Sequence, residues 1–355
     1  MGQYYKPHRG RSRFQTFLRV FLIILIVVLL LAIAAFLYLK RYMVYGADGS
    51  AHLELPVGVQ ESVSPSPVLQ SPSVVIEPSP SPSPSPSVSS GEPTYAKLYA
   101  PSELTKSAVS RAVTAKENAV VIDVKTINGK LAYSSDQELA PKTSASGTDL
   151  KTILADLKEQ GLYCAARISC FRDNTLSKTD FSYSLVTSEN SRWLDSDRYG
   201  WINPYSQDVQ DYITGIAKEL AQMGFNEIIL DHCGFPDSGR ISRIVYGSDA
   251  GIPFSQTIEH FCRQTKEAVS PYNVALSVVT DKTTLQDGEN KETGQTREML
   301  QNYADRVYVS AAASQRDTLA QDISGGTAGE QNAEWKLVSI LSSSPSEKSF
   351  SYMVK

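Results

Sequence analysis

Residues 206–235 read "SQDVQDYITGIAKELAQMGFNEIILDHCGF". A serine suited to capping opens a run with Val209, Ile213, Ile216, Ala217 and Leu220 at helical spacing. Gly224 stops that helix, and "EIIL" follows as a short, continuously apolar strand. A helix feeding a strand that is apolar on both faces belongs to a parallel sheet covered by helices. The strand then delivers Asp231, His232 and Cys233 to one edge.

The same unit recurs outward in both directions. Strand-like runs lie at 96–100, 118–125, 163–171, 227–235, 273–280, 306–311, 335–341 and 350–354. Helical patterns lie at 102–116, 148–161, 206–225, 253–269 and 296–304, with a short one at 316–321. Eight strands within about 260 residues predict a (β/α)8 TIM barrel over 95–355. The last third is thin in helices, so an open doubly wound sheet is the competing arrangement.

Residues 20–39, "VFLIILIVVLLLAIAAFLYL", hold no charge and are apolar on every face. Twenty such residues predict one transmembrane helix. "AIA" at 32–34 lies inside the apolar run, which favours an uncleaved anchor over a signal peptide. Five Lys or Arg precede the span and two follow it. That asymmetry predicts a cytoplasmic basic tail, 1–19, and an extracellular C-terminal domain at the cell membrane. Residues 40–94 are rich in Ser and Pro and centre on "EPSPSPSPSPSVSSGEP". Alternating proline blocks helix and sheet, so this segment reads as a disordered, extended linker.

The chain holds 34 Lys and Arg against 38 Asp and Glu, and seven of the basic residues precede Asp48. The body is therefore acidic, which argues against a nucleic-acid partner. The four cysteines, Cys164, Cys170, Cys233 and Cys262, have no CxxC spacing and read as apolar fillers. No metal and no cofactor is expected: adjacent strand residues such as Asp231, His232 and Cys233 diverge and cannot close one coordination shell.

Barrel chemistry sits at the C-terminal ends of strands. Asp123, Asp231 and Asp281 fall there and are the candidate catalytic carboxylates, the chemistry of glycoside hydrolysis. Strict alternation would put Asp231 and Cys233 on one face and turn His232 away, toward the helices. The loop 172–205 carries Trp193 and Trp201, which suit either stacking on sugar rings or packing the loop down; its tyrosines are expected to pack.

The blocks "NAVVIDVKTINGKLAYSS", "YCAARISCFRD" and "WINPYSQDVQDYITGIAKELAQMGFNEIILDHCGFPD" resemble those of a bacterial family of uncharacterised glycosyl hydrolase-like barrels, distantly similar to α-amylases. The resemblance implies a polysaccharide or oligosaccharide partner, Asp231 as nucleophile, and Asp123 as the acid of the second strand. Lys125, Arg167, Trp193, Trp201 and Asn203 are the expected substrate contacts. The sequence departs from the family at Gly234, where an arginine is usual, and at Val279, where an acid is usual. Asp281 lies two residues on and could substitute. These losses open a second reading, a non-catalytic barrel that binds glycan or a partner protein.

Overall fold

The computed structural model describes residues 43–45, 51–53, 94–104, 117–141, 149–323, 336–346 and 349–355. The expected membrane span at 20–39, the Pro/Ser-rich centre of the linker and residues 105–116 of the first expected helix lie outside the described residues. Among the described residues no helix is long and apolar enough to cross a membrane. The chain divides into two compact units, 1–79 and 80–355. In the first, Met43–Tyr45 pairs antiparallel with Ala51–Leu53.

The second unit is a closed barrel of eight parallel strands. They are β1 (Tyr95–Tyr99), β2 (Ala119–Lys125), β3 (Tyr163–Ser169), β4 (Glu227–Asp231), β5 (Ala275–Thr280), β6 (Arg306–Ser310), β7 (Leu337–Leu341) and β8 (Tyr352–Val354). Each pairs with its sequence neighbour, and β8 closes on β1 with Tyr352 opposite Tyr95. Closure excludes the open sheet. All eight expected strands are present, each within a few residues of its predicted bounds.

Among the described residues the helices of six or more residues are α1 (Leu150–Glu159), α2 (Gln207–Met223), α3 (Phe254–Val269), α4 (Lys282–Asp287), α5 (Arg297–Tyr303) and α6 (Arg316–Ile323). α2 forms as its sequence dictates. The Ser206 hydroxyl accepts from the Val209 amide, and Gly224 ends the helix in the left-handed region at φ 100°. Its buried face holds Val209, Ile213, Ile216, Ala217 and Leu220. Each large member of that stripe contributes roughly 2 kcal/mol by leaving water.

Alternation along the strands makes two cores. Val120, Ile122, Cys164, Ala166, Ile228 and Leu230 face the helices. Ala119, Val121, Tyr163, Ala165, Ile229, Tyr308 and Met353 fill the barrel. The barrel floor is polar. Glu227, fully buried at the start of β4, accepts from the Ser277 hydroxyl at 2.5 Å and lies 3.8 Å from the Arg306 guanidinium. Arg306 also donates to the Thr94 hydroxyl at 2.9 Å and lies over the Tyr163 ring. Buried charges persist only when paired. Glu227→Ala would leave Arg306 buried without its acid, so urea unfolding should show a loss of about 3 kcal/mol or more.

Candidate active site

The barrel interior turns from apolar to charged at its C-terminal end, where β2, β3 and β4 carry Asp123, Arg167 and Asp231 at matched heights. Arg167 pairs in register with Asp123 on one side and Ile229 on the other. Its guanidinium joins both acids. Nη1 donates to Asp123 Oδ1 at 2.7 Å; Nε donates to Asp231 Oδ2 at 2.7 Å, and Nη2 donates to the same oxygen. The Arg167 and Asp231 side chains are about nine-tenths buried, and Asp123 is 22% exposed. One guanidinium thus bridges the two carboxylates.

Their environments divide them. Burial pushes the Asp231 carboxyl up, but the charges of His232 and Arg167 and the guanidinium hydrogen bonds outweigh it and hold the group at about 2. For Asp123 burial wins over the single Arg167 contact, and the neighbouring Asp231 charge adds to it, so its carboxyl is raised. Burial pushes the His232 imidazole down, against the pull of Asp231.

His232 corrects the alternation argument. β4 ends at Asp231, and His232 takes a left-handed backbone at φ 50°. That turn keeps the imidazole beside the acid instead of facing the helices. Its amide donates to Asp231 Oδ1 at 2.7 Å, and Nδ1 lies 3.4 Å from that oxygen and 3.2 Å from the Ser169 hydroxyl. The same turn sends Cys233 out of the barrel, where its sulfur lies 3.5 Å from that of Cys262. All four cysteines are buried thiols.

Asp231, His232 and Gly234 line a cleft of about 250 Å³. Arg172, Asp195, Asp197, Trp201, Asp237, Asp281 and Gln295 also line it. Arg172 donates to Asp195 at 2.7 Å and Asp197 at 2.8 Å, and lies over the Tyr199 ring. The Trp201 indole donates to Asp195 Oδ2 at 2.9 Å and meets His232 edge-on. Gln295 donates to the carbonyls of Cys233 and Val279, tying the ends of β4 and β5. Asp195 and Gln295 carry no motif, and sequence reasoning missed them.

The other expected residues are placed as follows. Asp281 reaches the cleft but caps α4: Oδ1 accepts from the Thr284 amide and Oδ2 from the Asn290 side chain, each at 2.8 Å. Lys125 is fully buried, because a register shift between Asp123 and Lys125 breaks their shared face. Its ammonium bonds Asp173 at 2.7 Å and the Ser169 carbonyl at 2.8 Å, which removes it from any substrate. Arg167 likewise spends its donors on the two acids. Trp193 is buried and donates to the Arg240 carbonyl at 3.0 Å, so it packs the loop. Trp201 is 5% exposed but lines the cleft. Asn203 turns the chain into α2, accepting from the Tyr205 amide at 3.1 Å, and is not among the cleft-lining residues. Tyr205 packs on Phe235, Tyr246 and Phe254.

Gly234 has a steric cause. A Cβ there would lie 2.8 Å from the Thr293 carbonyl oxygen, on the hairpin formed by Glu289–Asn290 and Gln295–Thr296. The Phe235 amide donates to that same oxygen at 2.9 Å. The hairpin occupies the space a side chain would need, and Asp231 draws its guanidinium from Arg167 instead.

Two outcomes follow from this geometry. Gly234→Ala should cost about 1–3 kcal/mol in urea unfolding, by overpacking against Thr293. Arg167→Met should cost about 3–5 kcal/mol at pH 7, because two buried acids lose their cation. The folded pKa of Asp231 is depressed from 3.8, so its contribution is complete above pH 3.8 and lost as pH falls toward about 2. Asp123, with a raised pKa, has the opposite sign: its contribution is present at low pH and lost as pH rises through its folded value. The gap between wild type and Arg167→Met should therefore narrow at pH 3. A gap that stays constant would assign the loss to packing alone.

No curated protein matches the sequence. Solved structures with a similar chain path include a hypothetical protein from Ruminiclostridium thermocellum, at 23% identity and TM-score 0.45, over 51% of this chain and 96% of that one. The PgaB (BpsB) glycoside hydrolase domain from Bordetella bronchiseptica overlaps at 12% identity and TM-score 0.49, over 70% and 84%. The glycoside hydrolase domain of a PelA variant from Pseudomonas aeruginosa overlaps at 14% and 0.41, over 70% and 84%. At such identities and scores these overlaps say nothing about substrate or chemistry. A family model described as "putative glycosyl hydrolase domain" matches residues 95–312, from β1 to the end of β6. With that match over more than half its length, the chain belongs to this glycosyl hydrolase-like family.

Proposed function

We propose that the barrel binds and hydrolyses a cell-wall or surface polysaccharide, with Asp231 as the working carboxylate. The observation that carries this reading is an acid held ionised at about 2 on the floor of a cleft at the C-terminal end of the barrel. An anion so placed can attack, or stabilise, the oxocarbenium-like centre of a sugar. Its partner must be an acid that keeps its proton longer; Asp123, raised and bonded to the same guanidinium, has that property, although it is 22% exposed and not among the cleft-lining residues. Arg167 fixes the separation of the pair. His232 supports Asp231 through its backbone amide and borders the cleft with Trp201.

A specific observation favours glycan binding without turnover as the second reading. Both Asp231 oxygens are already engaged, Oδ1 by the His232 amide and Oδ2 by Arg167, and the side chain is 9% exposed. A nucleophile must present a lone pair to the cleft.

In the cell we place the barrel outside the membrane, tethered by 20–39 and held off by the Ser/Pro-rich spacer. The support is the uncharged apolar run, the Lys and Arg that flank it, and the spacer's composition. Deleting residues 2–41 should move the protein from the salt-washed membrane fraction to the soluble fraction; a full chain washed off by salt alone would contradict the anchor.

Asp231→Asn, set beside the wild type, tests hydrolysis against binding without turnover. Release of reducing ends from wall and surface polysaccharides should fall by a factor of about 10²–10⁴, with thermal unfolding still cooperative and glycan affinity retained. If the wild type releases none while still binding, the second reading holds.

A further inference from the structure

The imidazole of His232 lines the cleft, and its hydrogen bonds fix where its proton sits. The Ser169 hydroxyl, fully buried, donates to the Arg172 carbonyl at 2.8 Å, which spends its one proton. Toward His232 Nδ1, 3.2 Å away, that hydroxyl can therefore only accept. Asp231 Oδ1 lies 3.4 Å from the same nitrogen, and an ionised carboxylate repels a lone pair there. Two independent neighbours thus require Nδ1 to carry the proton, the tautomer that imidazole in water does not prefer.

Nε2 is then a bare acceptor. It takes no hydrogen bond from the described residues, and it is not among the polar atoms sealed from solvent without a partner. The side chain is 22% exposed and meets the Trp201 ring edge-on. Burial, aided by the charges of Arg167, Arg172 and Lys355, outweighs the pull of Asp231 and lowers the imidazole from its ordinary 6.5. Its lone pair is therefore free at neutral pH. Asp231 offers no such freedom, with Oδ1 engaged by the His232 amide and Oδ2 by Arg167.

The geometry points to His232 Nε2 as the general base of the site, taking a proton from the water that attacks the sugar. This rests on the proposed hydrolysis and assigns its proton acceptor. The water oxygen bonds the anomeric carbon, the glycosidic C–O bond breaks, and the leaving oxygen takes the Asp123 proton. Asp231 stays ionised. It holds Nδ1–H in place and stabilises the imidazolium and the oxocarbenium-like centre, with no bond between enzyme and sugar. Ser169 is a positioning residue that acts through the tautomer.

The tautomer is read by long-range nitrogen-15 correlation on the full chain in neutral detergent micelles at pH 7. Of the four histidines, the one lost in His232→Gly should show Nδ1 protonated and Nε2 bare. Glycine suits the left-handed backbone at φ 50° and keeps the amide that donates to Asp231, so this variant folds and leaves an imidazole-sized gap. Its release of reducing ends from wall and surface polysaccharides should fall by a factor of about 10²–10⁴. Added imidazole should restore part of that rate. The triazole analogue, of the same shape and far less basic, should not. A proton on Nε2, undiminished turnover in His232→Gly, or equal rescue by both compounds overturns the inference and leaves hydrolysis in place. A wild type that releases nothing sinks hydrolysis and this role together.

Discussion

One guanidinium holds the site together. Arg167 donates to Asp123 and Asp231 from the strand between them, at the end where the barrel interior turns from apolar to charged. Two acids this close and this buried cannot both stay ionised without a cation. Burial pushes both carboxyls up; at Asp231 the charges of His232 and Arg167 outweigh it, at Asp123 the one Arg167 contact does not, and a symmetrical pair becomes an acid and an anion. The rest of the mouth is arranged around that result. His232 turns back to donate to Asp231, Gln295 ties the ends of β4 and β5, and Arg172 with Asp195 builds the wall that carries Trp201.

The fold was legible because the strands are short apolar runs, several of them followed by helices with readable starts and stops. Ser206 and Gly224 around α2 are the clearest case. The exact edges of the site were less legible, for two local reasons. The alternation rule holds only while the strand lasts. It put Asp123 and Asp231 inside, then failed two residues past Asp123 and one past Asp231. At β2 a register shift sends Lys125 out to Asp173. At β4 a left-handed residue brings His232 in and turns Cys233 out. Neither event has a sequence signal in the residue itself, since histidine is not glycine and the shift is set by pairing with β3.

The long loop after β3 shows the same limit. Its aromatics were visible, but whether a ring faces solvent or core depends on partners far along the chain. Trp193 is taken by the Arg240 carbonyl and Trp201 by Asp195. Asp281 was read correctly as a mouth residue, yet Asp–Lys–Thr–Thr is also a helix start, and both its oxygens serve that local structure. Gly234 was the most informative departure from the family. The missing arginine has a geometric counterpart in the hairpin that crowds it, so the sequence change and the packing around Thr293 belong together.

The central claim is that unequal pairing of two buried acids splits the carboxylates, with Asp231 held low by His232 and Arg167 and Asp123 raised by burial. The direct measurement is a carbon-13 NMR titration of the side-chain carboxyls of Asp123 and Asp231 in the folded protein. The account predicts that Asp231 titrates near 2 and Asp123 above 3.8. Two carboxyls titrating together near 3.8, or in the reverse order, would contradict it.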